Sequence, residues 1–179
     1  RGLLPELDQK ACPSLAVPMT KDRTVLNAAY EQAADLVEEQ LKAGKDVACL
    51  TLGDPTIYST YIYLHRIIKA RGYETQIISG VPSFCAVSAR LGDSLADRSE
   101  QLHIVPSAYG VEETLSLSGT KVLMKAASKM DTVKKTLLEQ KAGAVMVENC
   151  GMENERVYPH FADLKEPSGY FSLVIVKGE

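Results

Sequence analysis

The turn Leu52-Gly53-Asp54-Pro55-Thr56-Ile57-Tyr58-Ser59 holds the residues of this chain best suited to chemistry on a small molecule. It follows the apolar run Val47-Ala48-Cys49-Leu50-Thr51-Leu52 and precedes a periodic segment, Ser59 to Arg71, that Gly72 closes. A strand, a tight glycine turn and a helix in that order present backbone to a ligand in open α/β sheets, outside the carboxyl ends of the strands. Gly53 has no Cβ to hold a ligand off the main chain, and Pro55 stiffens the turn while withdrawing one donor. The same three residue types also build an ordinary β-to-α turn, so the tripeptide alone leaves both readings open.

A second turn of this kind follows Glu74-Thr75-Gln76-Ile77-Ile78-Ser79, where Gly80-Val81-Pro82 leads into the small-residue helix Ser83 to Leu91. Ser83 stands where the first backbone N–H groups of that helix point, and it serves either a ligand or the helix itself as an N-cap. The other reactive side chains are scattered. Cys12, Cys49, Cys85 and Cys150 form no C-x-x-C or zinc-type pair, and His65, His103 and His160 stand alone, so a dedicated metal site is not expected. No G-x-G-x-x-G, Walker or G-x-S-x-G pattern is present.

The elements around these turns alternate strand and helix. Val25, Ala29, Ala33, Leu36, Val37 and Leu41 make one face of a helix that Thr24 or Asp22 caps and Gly44 ends, with Glu31, Glu38 and Glu39 on a solvated face. Later strands are expected at Gln101 to Val105, Lys121 to Lys125, Ala144 to Glu148 and Tyr170 to Lys177, with a helix from Met130 to Gln140. The polar stretch Ser107 to Gly119 reads as the link between two lobes. This pattern predicts an α/β protein with largely parallel strands.

Composition bounds the partners. With 45% apolar and 24% charged residues among 179, and a net charge of −3, the chain reads as globular, with no bulk attraction to nucleic acid. No apolar run reaches membrane-spanning length, so a soluble protein is predicted, and cysteines placed as small hydrophobes argue for a reducing, cytoplasmic compartment. The stretch Arg1 to Asp22 reads as the middle of a fold, and the expectation is that the true N-terminal part is missing.

Four segments in order resemble the tetrapyrrole (cobalamin-pathway) methylases: Leu52 to Ser59, Ile78-Ser79-Gly80-Val81-Pro82-Ser83-Phe84, Val122-Leu123-Met124-Lys125, and Val147-Glu148-Asn149. Tyr58-Ser59, Pro82 to Ala86, Val105-Pro106-Ser107 and Tyr170 to Val176 are most similar to the branch that methylates precorrin-2 at C(20). The resemblance implies two α/β lobes, an N-terminal one with a parallel sheet (residues 1–107) and a C-terminal one with a mixed sheet (108–179), and a homodimer. The family's opening strand and its G-x-G-P-G-D-P-E-L-L-T type loop are absent from the sequence.

The resemblance also implies S-adenosylmethionine as methyl donor and a tetrapyrrole substrate, while charge and hydropathy predict neither nucleic acid nor membrane as partner. It assigns cofactor contact to Gly53, Asp54, Ile57, Ser83, Phe84, Met124 and Cys150. Asp54 as a turn-stabilising carboxylate and Met124 as a plain core residue stay open beside those roles. Methyl transfer from a sulfonium is an in-line displacement that depends on positioning, so neither a nucleophilic side chain nor a metal is expected. A base to remove the C(20) proton is not identified; Tyr58 and His103 are the candidates. The substrate's carboxylates call for local positive charge, with Lys21, Arg23, Arg90, Arg98 and Lys125 as candidates. The alternatives are a relative acting on another tetrapyrrole position or on ribosomal RNA, and a non-catalytic cofactor-binding domain.

Overall fold

The computed structural model describes residues 7, 9–106, 110–126, 130–139, 143–164 and 169–178. The chain divides into two compact units, Arg1–Gly80 and Val81–Glu179. The lobe boundary expected at 107–108 lies outside the described residues.

The first unit is built on two helices. α1 (Arg23–Lys42) begins where the Asp22 carboxylate accepts from the Thr24 and Val25 N–H groups at 2.8 and 3.3 Å, so Asp22 and not Thr24 is its N-cap. α2 (Tyr61–Ala70) packs against it. Ala33, Ala34, Val37, Leu64 and Ile68 form their shared core, and the two alanines permit the close approach. Val25 and Leu36, expected on the buried face, are exposed, and Tyr30 is buried instead, stacked on Tyr63 with centroids 5.0 Å apart. The charges of α1 are more than a solvated face. Arg71, just past α2, reaches Glu31 at 2.7 Å and Asp35 and Glu38 at 2.8 Å, and the Tyr73 hydroxyl donates to Glu38.

The runs 47–52 and 74–79, expected to be strands, carry no ladder among the described residues. Burial alternates from Arg71 to Ile78 as it does in a half-covered strand, but backbone groups pair in a sheet only when another strand lies alongside. No described residue supplies one, and Leu50, Leu52 and Ile78 stay exposed.

The second unit starts with α3 (Ser83–Leu91), which Gly92 closes in the left-handed conformation at φ 69°. Its strands are β1 (Leu102–Pro106), β2 (Thr120–Met124), β3 (Ala144–Glu148), β4 (Arg156–Tyr158) and β5 (Ser172–Val176), in sheet order β1-β2-β5-β3-β4. β1, expected in the first lobe, pairs parallel with β2, while β5 runs antiparallel to both β2 and β3. β4 was not anticipated. Its three residues are too few to show a periodicity. β5 lies at the centre with all five residues buried, which suits its run of β-branched side chains.

Residues opposite one another on a ladder point to the same face. Leu123, Val174 and Met146 therefore share a face, and they meet α4 (Val111–Leu115) and α5 (Met130–Glu139) in one core with Val133 and Leu137. Burying each such side chain contributes roughly 1.5–3 kcal/mol. On the other face Val122, Ile175, Leu173 and Val147 are buried as well, and α3 packs against β5.

Candidate functional site

The turn after residue 52 is held by one carboxylate. Asp54 Oδ1 accepts from the Thr56 N–H at 2.7 Å and from the Thr56 hydroxyl, and Oδ2 accepts from the Gly80 N–H at 3.0 Å. The Thr56 hydroxyl and then the Thr56 N–H hold the Asp54 carboxyl below its ordinary range, burial opposes them, and the Gly80 N–H adds to the lowering. Asp54 thereby joins the two loops that follow residues 52 and 79. A side chain at Gly80 would collide with the Gly53 carbonyl, and Gly53 itself sits at φ 79°. Both glycines are required by geometry.

Of the residues expected to touch a cofactor in this unit, Gly53, Asp54 and Ile57 lie together on that turn, with the Ile57 N–H bonded to the Asp54 carbonyl at 3.2 Å. Ile57 is half-buried and Gly53 exposed, but the carboxylate oxygens of Asp54 are spent on the protein. Tyr58 follows at φ 50°, a strained value for an aromatic residue, and is half-exposed.

In the second unit the registers define one edge. Met124 and Val147 both face Leu173, and Pro106 faces Met124, so β1, β2 and β3 finish at the same side of the sheet and β5 begins there. Strand ends of this kind are where α/β sheets hold ligands. Met124 and Cys150 stand at this edge, both half-buried. Burial, chiefly, and Glu155 nearby push the Cys150 thiol up. β2 and β3 each give way to a non-glycine residue in the left-handed region, Lys125 at φ 56° and Asn149 at φ 49°. Such strain persists only where the surroundings enforce it.

The remaining expected residues divide. Ser83 and Phe84 open α3, where Pro82 occupies the cap position, so Ser83 is not the N-cap, and the Phe84 ring is buried. His103 lies three register positions in from the edge, roughly 10 Å at strand spacing, and its Nε2 is 2.9 Å from the Ser118 carbonyl. Arg90 is bound to Glu155 at 2.5 Å, and Lys125 is exposed at the edge itself. Lys21 and Arg23 are exposed at the start of α1 and Arg98 is exposed after α3.

Glu148 and the Tyr170-Phe171 turn lie in segments that carry the family resemblance, but that resemblance gives them no role at the site. Glu148 is buried and accepts from the Gly169 N–H at 2.8 Å and the Tyr158 hydroxyl at 3.2 Å, with the Ser172 hydroxyl 3.1 Å away. The turn so anchored carries Tyr170 and Phe171, both about half-exposed. The acid closing the otherwise apolar Ala144-Val145-Met146-Val147 was the available signal. A groove of about 300 Å³ beside α4 and α5, lined by Glu112, Asp131, Thr132, Lys135, Thr136 and Glu139, contains none of the expected residues. Among the described residues no His, Cys, Asp or Glu group is placed to hold a metal, and no helix is long and apolar enough to cross a membrane.

Comparison with known proteins places the chain in a family. The tetrapyrrole (corrin/porphyrin) methylase family matches residues 1–165. A Methanocaldococcus jannaschii protein named probable cobalt-precorrin-2 C(20)-methyltransferase is 31% identical over 176 residues, 96% of this chain and 74% of that protein. The cobalt-precorrin-2 C(20)-methyltransferase of Salmonella typhimurium is 29% identical over 169 residues, 89% of this chain and 70% of its own length. Among solved structures, a cobalt-precorrin-4 methyltransferase superposes with a TM-score of 0.71 at 16% identity, over 83% of this chain and 70% of that one. A uroporphyrin-III C-methyltransferase from Thermus thermophilus gives 0.68 at 22% identity, over 87% and 77%. Those superpositions show the α/β fold of this methyltransferase class, and the sequence match extends over nearly the whole chain: it belongs to the tetrapyrrole methylase family.

Proposed function

We propose that this protein transfers a methyl group from S-adenosylmethionine to the C(20) meso carbon of precorrin-2, or of its cobalt-bearing form, in cobalamin biosynthesis. The observation that carries the reading is the similarity, over 96% and 89% of this chain, to two proteins named for that reaction on the cobalt-bearing substrate. A Thermus thermophilus relative in fold was solved with S-adenosylhomocysteine, the product such a donor leaves. The working form is proposed to be a cytoplasmic homodimer of two α/β lobes.

The donor supplies an electrophilic methyl on a sulfonium, and the protein's part is to hold it in line and dry. Each unit by itself offers surface suited to such a molecule: half-buried Ile57 and the backbone of Gly53 in the first, half-buried Met124 and the backbone of Cys150 in the second. Ser83 and Phe84 would contribute through the first turn of α3, Phe84 by its backbone because its ring is buried. Asp54 has a positioning role, since its oxygens fix Thr56 and Gly80 and so hold Gly53 and Ile57 in place. Its own contact with the donor would come from the main chain. Tyr58, exposed on the same turn, and His103, whose Nε2 lies 2.9 Å from the Ser118 carbonyl, are the two candidates for late proton removal.

The test is incubation with methyl-labelled S-adenosylmethionine and precorrin-2 or its cobalt form. One labelled methyl at C(20), seen by mass spectrometry and NMR, is expected. A label at another ring carbon, or label only in added ribosomal RNA, sinks the C(20) reading.

A further inference from the structure

We infer that Tyr170 and Phe171 form a fixed aromatic platform on which the flat ring of the tetrapyrrole substrate lies; the identity of that ring rests on the function proposed above. Both side chains are about half in water, 54% and 51% exposed, so two adjacent rings present apolar surface at one turn. Their rings meet edge to face, with centroids 5.2 Å apart and planes at 83°, so a ligand meets one ring's face beside the other's edge.

The turn that carries them is anchored on both sides. Before the pair, the Gly169 N–H donates to Glu148 at 2.8 Å, and after it the Ser172 hydroxyl lies 3.1 Å from Glu148 and 2.5 Å from the Gly169 carbonyl. The Asn149 N–H donates to the Phe171 carbonyl at 3.0 Å. Glu148 is therefore a buried carboxylate, placed at the end of β3, whose donors bracket two water-exposed rings. Ordering a turn in advance removes part of the entropy cost that a ligand would otherwise meet.

Location and charge select the ligand. The platform starts β5 at the edge where β1, β2 and β3 end, beside Met124 and the exposed Lys125. A wide conjugated ring with carboxylate arms covers both aromatic side chains and meets positive charge at its rim. The methyl donor offers only the smaller adenine ring as a flat surface and a single carboxylate, where the substrate offers a wide ring and several.

The test uses the full chain with uroporphyrin III, a flat tetrapyrrole with many carboxylate arms whose absorption band reports binding without any methyl transfer. Tyr170→Ala and Phe171→Ala are each expected to weaken ring binding by about tenfold, with Tyr170→Phe within about twofold of wild type. Calorimetric affinity for S-adenosylhomocysteine stays within about twofold in all three. Glu148→Gln, which keeps the volume and gives up an acceptor, is expected to speed amide exchange at Gly169 and to weaken ring binding by a smaller factor. Ring binding that is absent in the wild type, or unchanged in both alanine variants, overturns the platform. So does a parallel loss of S-adenosylhomocysteine affinity, which would give the pair to the cofactor. A wild-type chain that binds the ring through these residues yet leaves precorrin-2 unmethylated sinks the C(20) reading and leaves the platform standing.

Discussion

β3 and the segment 47–52 are both short apolar runs that stop at a turn containing glycine, and they meet opposite environments. β3 has β5 on one side and β4 on the other, and four of its five residues are buried. Segment 47–52 has no ladder among the described residues, and Leu50 and Leu52 are 67% and 64% exposed. Hydrophobic runs of similar length thus contribute very differently to stability, because burial and not residue type sets the gain. Yet both runs end at candidate ligand-facing turns, and each turn is held by a carboxylate that bonds a glycine N–H. Asp54 holds Gly80 and Glu148 holds Gly169. The two units differ in how their strands are supported and agree in how their turns are fixed.

The contrast is most easily broken in the apolar residues. Leu123→Ala, in the core beneath α5, is expected to cost about 2–5 kcal/mol in urea unfolding, whereas Leu52→Ala changes stability by no more than about 0.5 kcal/mol. Equal costs would mean that segment 47–52 is covered in solution. Next in size is Gly80→Ala, which forces a methyl against the Gly53 carbonyl and is expected to cost about 1–3 kcal/mol. It should also accelerate hydrogen exchange at Thr56, and Gly143→Ala, with open space at its Cβ, serves as the unaffected reference.

The shared device of the two turns is sharpened by pH. Because the folded Asp54 carboxyl lies below its ordinary value of 3.8, its contribution is complete above that value and is lost as the pH falls through the lower, folded one. The Gly80 amide signal should therefore hold steady down to the ordinary value and move only below it. A shift with a midpoint above 3.8 would contradict the hydrogen bonding described for Asp54. The smallest effect is expected for Lys135→Ala. Its 3.9 Å pair with Glu139 is exposed on both sides, so thermal unfolding should register about 0.5 kcal/mol or less.

Much of this was legible before any coordinates. α3, β3 and α5 lie within a residue of their expected spans because local signals agree there: Gly92 ends α3 in the conformation glycine favours, and the apolar run of β3 is bounded by turns. The strand expected at Lys121 to Lys125 is found one residue earlier, at Thr120–Met124. Less legible was anything that depends on a partner distant in sequence. Asp22 over Thr24 as the cap of α1 turned on which side chain reached two N–H groups, and β1 joined the second sheet because its partner, β2, lies beyond the intervening helix. The role of Glu148 depends on donors 21 and 24 residues away.

By itself the sequence determined which stretches are helical or apolar, where they must turn, and, through segments spread along the chain, membership of a methylase family. Those properties follow from local backbone preference and from residue types that the turns and the ligand demand. Only the tertiary structure decided that β5 sits at the centre, that Asp54 spends its oxygens on Thr56 and Gly80, and that Tyr170 and Phe171 stand exposed on an anchored turn. The Thr56 bonds are local, but the Asp54–Gly80 bond, the central place of β5 and the Glu148–Gly169 anchor join groups distant in sequence, and partners at such separations are fixed by packing and register.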